Sequence, residues 1–383
     1  MRRVDDVFIE EIRDAGEDMS TKYAFSEFYD EYDKVTKLPK EGIPIGLNKC
    51  KTLGVPNVIL EVDLANCPDD TNFTHEKRCE LFKERFDWIM KNLKIQLKDG
   101  SIIEPKILVN LRDLPVAVEK KTALSFKTVE FLAQYRPEIF AIITEEPSGK
   151  YYPEQLGMMT SNCVKLMRSH NYTGHFLIHT HQQWGLHDAG VLECLAMGAT
   201  GIWAAIPEEG AALGHASSCL TIMNLIRLGN CKVQLKYKCT ELRKAAAEIT
   251  KIVTGAPAHP KQPVYGARAV YQVFGMSGMG GDGSEFDLAE FFGIEKTKRI
   301  TTLASNQMII DRLTRLFGEN SDFTDERATL MKEHMLEDYT NNRKEEYHSA
   351  VGLASLYDKA GGIKTPAMVE ALAEVCKIIC NLS

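Results

Sequence analysis

At 383 residues and 44% hydrophobic content, the chain can bury a full core in one large domain with an appendage, or in two domains. Its net charge of −7 is spread over mixed signs without a basic block, which argues against a nucleic-acid or anionic membrane partner and for a small-molecule substrate. No run of eighteen or more apolar residues occurs, "MRRVDDVFIEE" turns acidic where a signal peptide would turn apolar, and ten cysteines lie scattered without a CxxC pair, so a reduced, cytoplasmic protein is expected.

In chain order, β-rich runs begin with "VFIEE" at 7, "IPIGL" at 43, "VILEVD" at 58, "KILVNL" at 106, "IFAIIT" at 139, "HFLIHT" at 175 and "GIWAAI" at 201. Between them, "THEKRCELFKERFDWIMKNL" and "PEQLGMMTSNCVKLMRSH" have helical periodicity, the second opening on a proline suited to a first turn. This alternation predicts parallel βα units, with the α/β TIM (β/α)8-type barrel as the leading architecture. Only seven strands are found, and too few residues precede the first for another strand and helix, so either the barrel lacks one unit or one strand escapes the count. Residues 1–260 form the expected barrel domain. Residues 261–283 read as a Gly-rich linker and 284–383 as a helical C-terminal region. The run "GMSGMGGDG" superficially resembles a phosphate loop, but no strand leads into it and no GKS or GKT follows.

His179 and His181 flank Thr180, and alternation along a strand turns both imidazoles to the same side. They stand at the end of their strand, where barrel active sites are built. Two neutral imidazoles at that spacing suit one divalent metal ion; the alternative is a pair of ordinary core histidines with separate hydrogen-bond partners. His215 follows the next strand after "PEEGAALG" and is the expected third ligand, unless it is a surface histidine at a helix start. His187 and Asp188 read as helix-start residues. Other strand ends offer Asp63, Arg112, Glu145 and Glu146. Arg112 can grip a substrate carboxylate with its planar fork, or pair with Asp113.

The ordered set "EEPSGKYYPEQL", "HTHQQWGLHDAG", "AMGATGIW" and "EEGAALGHASSCL" resembles the DRE-TIM metallolyase family, which includes isopropylmalate and homocitrate synthases and 3-hydroxy-3-methylglutaryl-CoA lyase. Upstream, "VILEVDLANCPDDTNFTHEKRCELFKERFDWIM" is similar to a lyase strand and helix, and "QPVYG" resembles the family's post-barrel segment. The departures are specific. The family's Gly-Asn ligand position is Gly214-His215 here, its Asp-Thr pair is Glu146-Pro147, and a Glu-Arg pair is Ala211-Ala212. The two histidines of its "HxSGIHxDG" segment are Gly275 and Gly280. Its first strand, with a carboxylate ligand and an enolate-steadying Arg, has no clear counterpart, because "EEIRDAGED" at 10 has the spacing of a second strand.

The resemblance implies a divalent ion (Zn, Mn or Mg) on His179, His181 and His215, with Arg112 and Glu146 as candidate catalytic residues. It implies carbon–carbon bond formation or cleavage on a 2-oxo or 2-hydroxy acid or an acyl-CoA, in a homodimer whose helical tail packs on the partner barrel. The competing reading is a repurposed homologue that acts by binding or assembly. On it the barrel survives while Gly275, Gly280 and the missing Arg mark lost condensing machinery; Tyr339, Tyr347 and His348 are candidate replacements on the tail.

Overall fold

The computed structural model describes residues 3–380 apart from 22, 29–31, 34, 69–72, 98, 138, 210–213, 268, 270, 273–290, 294–296, 299, 344–346 and 348. The chain divides into two compact units, Met1–Thr221 and Ile222–Ser383, a boundary earlier in the chain than the expected one at 260.

The first unit is built on a six-stranded sheet of β1 (Phe25–Phe28), β2 (Val58–Asp63), β5 (Ile107–Arg112), β6 (Ala141–Glu146), β7 (His175–Thr180) and β8 (Gly201–Trp203), side by side in chain order and all parallel. The numbering is completed by a short antiparallel hairpin of β3 (Ile95–Gln96) and β4 (Ile102–Ile103). Helices connect the sheet strands: α2 (Ile45–Leu53), α3 (His75–Asn92), α4 (Leu114–Lys120), α5 (Thr122–Gln134), α6 (Pro153–Ser169) and α7 (His187–Ala196). Sequential parallel strands with helical crossovers are the order of a (β/α) barrel, here six strands of one.

Two expected strands are helical. "VFIEE" lies within α1 (Arg3–Asp14), where Ile9 is fully buried and Ile12, three residues on, packs against the same core. "IPIGL" supplies Pro44 at the start of α2, which buries Gly46, Leu47, Cys50 and Leu53 along one stripe. Both runs were too short for alternation to be told from helical spacing. The first sheet strand is instead "FSEF" at 25–28, which hydrogen-bonds along β2 with Phe25 opposite Val58.

Alternation separates the faces of the sheet. Val58, Leu60, Val62, Ile107, Val109, Leu111, Ile142, Phe176 and Ile178 join the helices in one large apolar core. On the other face, Ile59, Leu108, Ala141 and Ile143 form a small cluster with Leu177 and Trp203, and polar side chains take over toward the carboxyl ends of the strands. α3 presents Arg78, Leu81, Phe82, Arg85, Phe86 and Ile89 to the core, and its N-cap Thr74 accepts from the Lys77 amide.

Arg78 is fully buried, donating through Nη2 to Pro68 O and to Cys67 Sγ, both at 3.1 Å, with its guanidinium 4.6 Å from the Phe73 ring centroid. It ties α3 to the loop leaving β2. Arg78→Ala is expected to destabilise the protein by about 2–4 kcal/mol in urea unfolding, since it leaves a large void and strands buried acceptors. A loss below about 0.5 kcal/mol would show that the loop does not depend on this anchor.

Past Thr221, α8 (Ser218–Arg227) runs on into α9 (Cys231–Lys236) and α10 (Cys239–Thr254). Beyond residue 300 the described residues include the helices Asn306–Phe317, Asp325–Thr340, Ala350–Lys359 and Pro366–Cys380. Met308, Ile309, Leu313, Phe317, Met331, Leu353, Tyr357 and Met368 from these four helices make a core of their own. The apolar stripes of the tail, expected to require a partner barrel, therefore bury much of their surface against one another. Asp322 knits this core's edge, accepting from Tyr357 Oη, from Ile363 N at 2.9 Å and from Arg327 Nη2 at 3.2 Å. No helix among the described residues is long and apolar enough to cross a membrane. The Gly-rich linker's Gly275 and Gly280 lie outside the described residues, as do Ala211, Ala212 and His348.

Candidate metal centre

The polar face at the strand ends is set by pairing register. Glu145 on β6 stands opposite His179 on β7, and His179 stands opposite Trp203 on β8. His181 lies two residues beyond His179 and turns its ring to the same side. The two Nε2 atoms are 3.0 Å apart, and the His179 ring packs against Trp203 with centroids 4.4 Å apart.

His215 reaches the pair through its backbone. It bridges to His181, Gln182 N donates to Gly214 O at 3.1 Å, and His215 N donates to Glu208 O at 3.0 Å. The three imidazoles form a near-equilateral cluster with centroids 4.8, 4.7 and 4.6 Å apart, and one ring nitrogen from each lies within 4.8 Å of the others. Gly214 has φ +76°, and a Cβ there would stand 2.8 Å from Gln182 Oε1 and 3.0 Å from Glu208 O. Gly214→Ala is therefore expected to cost about 1–2 kcal/mol in left-handed strain and to push His215 away from its neighbours. Chemical unfolding reads the first effect and metal titration the second; an unchanged metal affinity would show that the loop absorbs the change.

The surroundings of His179 and His215 favour their neutral forms. Burial pushes His179 down to about 4, partly opposed by the Glu145 carboxylate. Burial also lowers His215, and His181 adds to the effect. Neutral imidazole nitrogens are metal donors, and two nitrogens each about 2.0–2.1 Å from one tetrahedral ion would be about 3.3–3.4 Å apart. The His179–His181 separation needs only a few tenths of an ångström to meet that spacing, so the residues fit a divalent ion.

A polar belt continues from the histidines along neighbouring strands. Glu145 Oε1 lies 3.4 Å from His181 Nε2, and its Oε2 accepts from Asn110 Nδ2 at 2.6 Å. Arg112 Nε is 3.7 Å from Glu61 Oε2 and 3.9 Å from Glu145 Oε2, and Ser26 Oγ donates to Glu61. Burial alone would raise Glu145, but His181, His179, Asn110 and Arg112 outweigh it and hold the carboxyl below its ordinary value. Glu61 goes the other way: burial raises it against the pull of Ser26.

Of the expected residues, His179, His181 and His215 come together, with Arg112 on the same face. Glu146 does not join them. Its carboxylate turns back on its own loop, accepting from Ser148 N at 3.0 Å, from Ser148 Oγ and from Gly149 N at 2.7 Å. Glu145 faces the histidines instead, as alternation from His179 across the paired register requires. Asp188, at the start of α7, accepts from Ser217 N at 2.9 Å and so holds the segment after His215. Tyr347, in the second unit, donates to Asp338.

No family profile matches the sequence, and no curated protein matches it. Solved structures overlap it in part. The N-terminal domain of a proposed aldolase from Bacteroides vulgatus is 14% identical over 65% of this chain and 68% of that one, with a TM-score of 0.43. An HMG-CoA lyase from Acinetobacter baumannii, in complex with coenzyme A and 3-methylmalate, is 15% identical over 56% of this chain and 68% of that one, at 0.40. The HMG-CoA lyase of Bacillus subtilis is 15% identical over 65% and 76%, at 0.41. At these scores the fold assignment rests on the sheet order described above.

Proposed function

We propose that the chain is a metal-dependent enzyme that makes or breaks a carbon–carbon bond in a 2-oxo or 2-hydroxy acid or an acyl-CoA. The observation that carries this reading is the convergence of His179, His181 and His215 at the carboxyl ends of adjacent parallel strands. A divalent ion held there supplies Lewis-acid polarisation of a substrate oxygen. An all-imidazole donor set suits Zn better than Mg or Mn, which prefer oxygen donors. Arg112, on the same face, offers a guanidinium fork to a substrate carboxylate, and Glu61 and Glu145 orient it through Nε. Glu146 shapes the loop after β6 rather than meeting substrate. Trp203 closes one side of His179 and keeps water from that imidazole.

The active assembly is taken to be a homodimer. Leu336 and Tyr339 remain 55% and 56% exposed on the helical tail, and a second copy would cover such residues. Monomers by light scattering at micromolar concentration would remove this part of the reading.

The expected reaction profile follows from the glycines at 275 and 280, where the resembling synthases carry histidines. Thiol release from acetyl-CoA with 2-oxoisovalerate, 2-oxoglutarate or pyruvate should be slight in the presence of Zn2+ or Mn2+. Cleavage of 2-hydroxy acids or hydroxyacyl-CoA thioesters should be measurable and should vanish in His179→Ala. Robust condensation abolished by His179→Ala would restore an ordinary synthase, whereas metal-loaded protein inert in both directions would leave binding or assembly as its role.

A further inference from the structure

We infer that Glu145 is a fourth protein donor to the ion, so that the centre is three imidazoles and one carboxylate. The inference rests on the three-histidine reading and deepens it. Two roles are open to a carboxylate beside a metal-bound histidine, and they differ in which ring nitrogen the carboxylate meets. A carboxylate that orients the ligand accepts from the nitrogen that does not bind the ion. Glu145 instead meets Nε2 of His181, the same nitrogen that stands 3.0 Å from Nε2 of His179. Its Oε1 is 3.4 Å from that nitrogen, the spacing of two donors on one tetrahedral ion; the three ring nitrogens group within 4.8 Å without it, so coordination requires the carboxylate to close on His179 and His215.

The rest of the carboxylate is arranged to match. Asn110 Nδ2 holds Oε2 at 2.6 Å and Arg112 Nε approaches the same oxygen, which leaves Oε1 to His181. Asn110 is fully buried and Glu145 is only 7% exposed, so neither side chain is a passing surface contact. The carboxylate is contributed by β6, next to the strand that carries His179. Such a donor set would lower the charge of the site by one and favour an ion that accepts mixed nitrogen and oxygen donors, such as Zn2+, Mn2+ or Co2+.

The test uses the full-length protein stripped of metal and titrated with Co2+, read by visible absorption and by competition with a chelator. Wild type, Glu145→Gln, Asn110→Ala and His179→Ala are compared, with the melting temperature of each metal-free form as a check on folding. Glu145→Gln should bind Co2+ at least about tenfold more weakly and with a changed spectrum, while its metal-free form melts close to wild type. Asn110→Ala should weaken binding by less and keep the spectrum. Glu145→Gln that binds as tightly as wild type with the same spectrum overturns the assignment and leaves the three-histidine reading intact. Wild-type protein that takes up no Co2+ overturns both. Should Glu145→Gln melt early, Glu145→Asp serves instead: it keeps the charge but withdraws the oxygen by one methylene, so weaker binding supports coordination and unchanged binding overturns it.

Discussion

Metal-free protein titrated with Zn2+ is expected to take up one equivalent, and His179→Ala, His181→Ala and His215→Ala should each weaken that uptake by more than about 100-fold. The loss should exceed the roughly 10–100-fold that follows removal of a group that only hydrogen-bonds to a ligand. Each histidine provides one nitrogen to a cluster already drawn within 4.8 Å, so no large rearrangement offsets the binding free energy. Uptake is measured by equilibrium dialysis with elemental analysis. Because an ion that binds only the folded state stabilises it by mass action, free Zn2+ at 100 times the dissociation constant should add about 2.7 kcal/mol to unfolding. Wild-type affinity in any of the three variants would remove that histidine from the centre.

Acid should weaken the metal-free protein well before its carboxylates titrate. His179 is lowered from 6.5 to about 4 in the folded state, so between those values the unfolded chain takes up a proton that the native site refuses. Its contribution is complete above about pH 6.5 and is lost as the pH falls toward 4, by about 3 kcal/mol at most for a shift of that size. The lowered His215 and Glu145 act in the same direction, Glu145 at lower pH; the raised Glu61 opposes them by easing its burial on protonation. Urea unfolding at pH 7.5, 6 and 5 should show stability falling, and His179→Phe should flatten the fall. A wild-type profile level from pH 7.5 to 5 would contradict the burial of this imidazole.

The parallel sheet was legible in the sequence where strands are long and apolar on both faces. "VILEVD", "KILVNL" and "HFLIHT" carry enough β-branched and aliphatic residues to declare themselves, and their period of two correctly turned His179 and His181 to one side. The same rule applied across the strand pair would have selected Glu145 over Glu146. That choice depends on register between β6 and β7, which no single strand contains. The front of the chain was misread because "VFIEE" and "IPIGL" are apolar runs of about one helical turn, and the true edge strand "FSEF" is too short and too polar to stand out. His215 was placed from its position after the last strand. Its backbone attachment to β7 had no sequence signal beyond the preceding glycine.

The pinning of His215 bears on how this protein could diversify. Its amide is fastened to Glu208 and the preceding carbonyl to Gln182, so the short chain between Glu208 and Gly214 begins and ends at fixed posts. The third imidazole therefore keeps its address through main-chain bonds that depend on no particular side chain at Glu208 or Gln182, and substitutions at those two positions can be tolerated while the ion is retained.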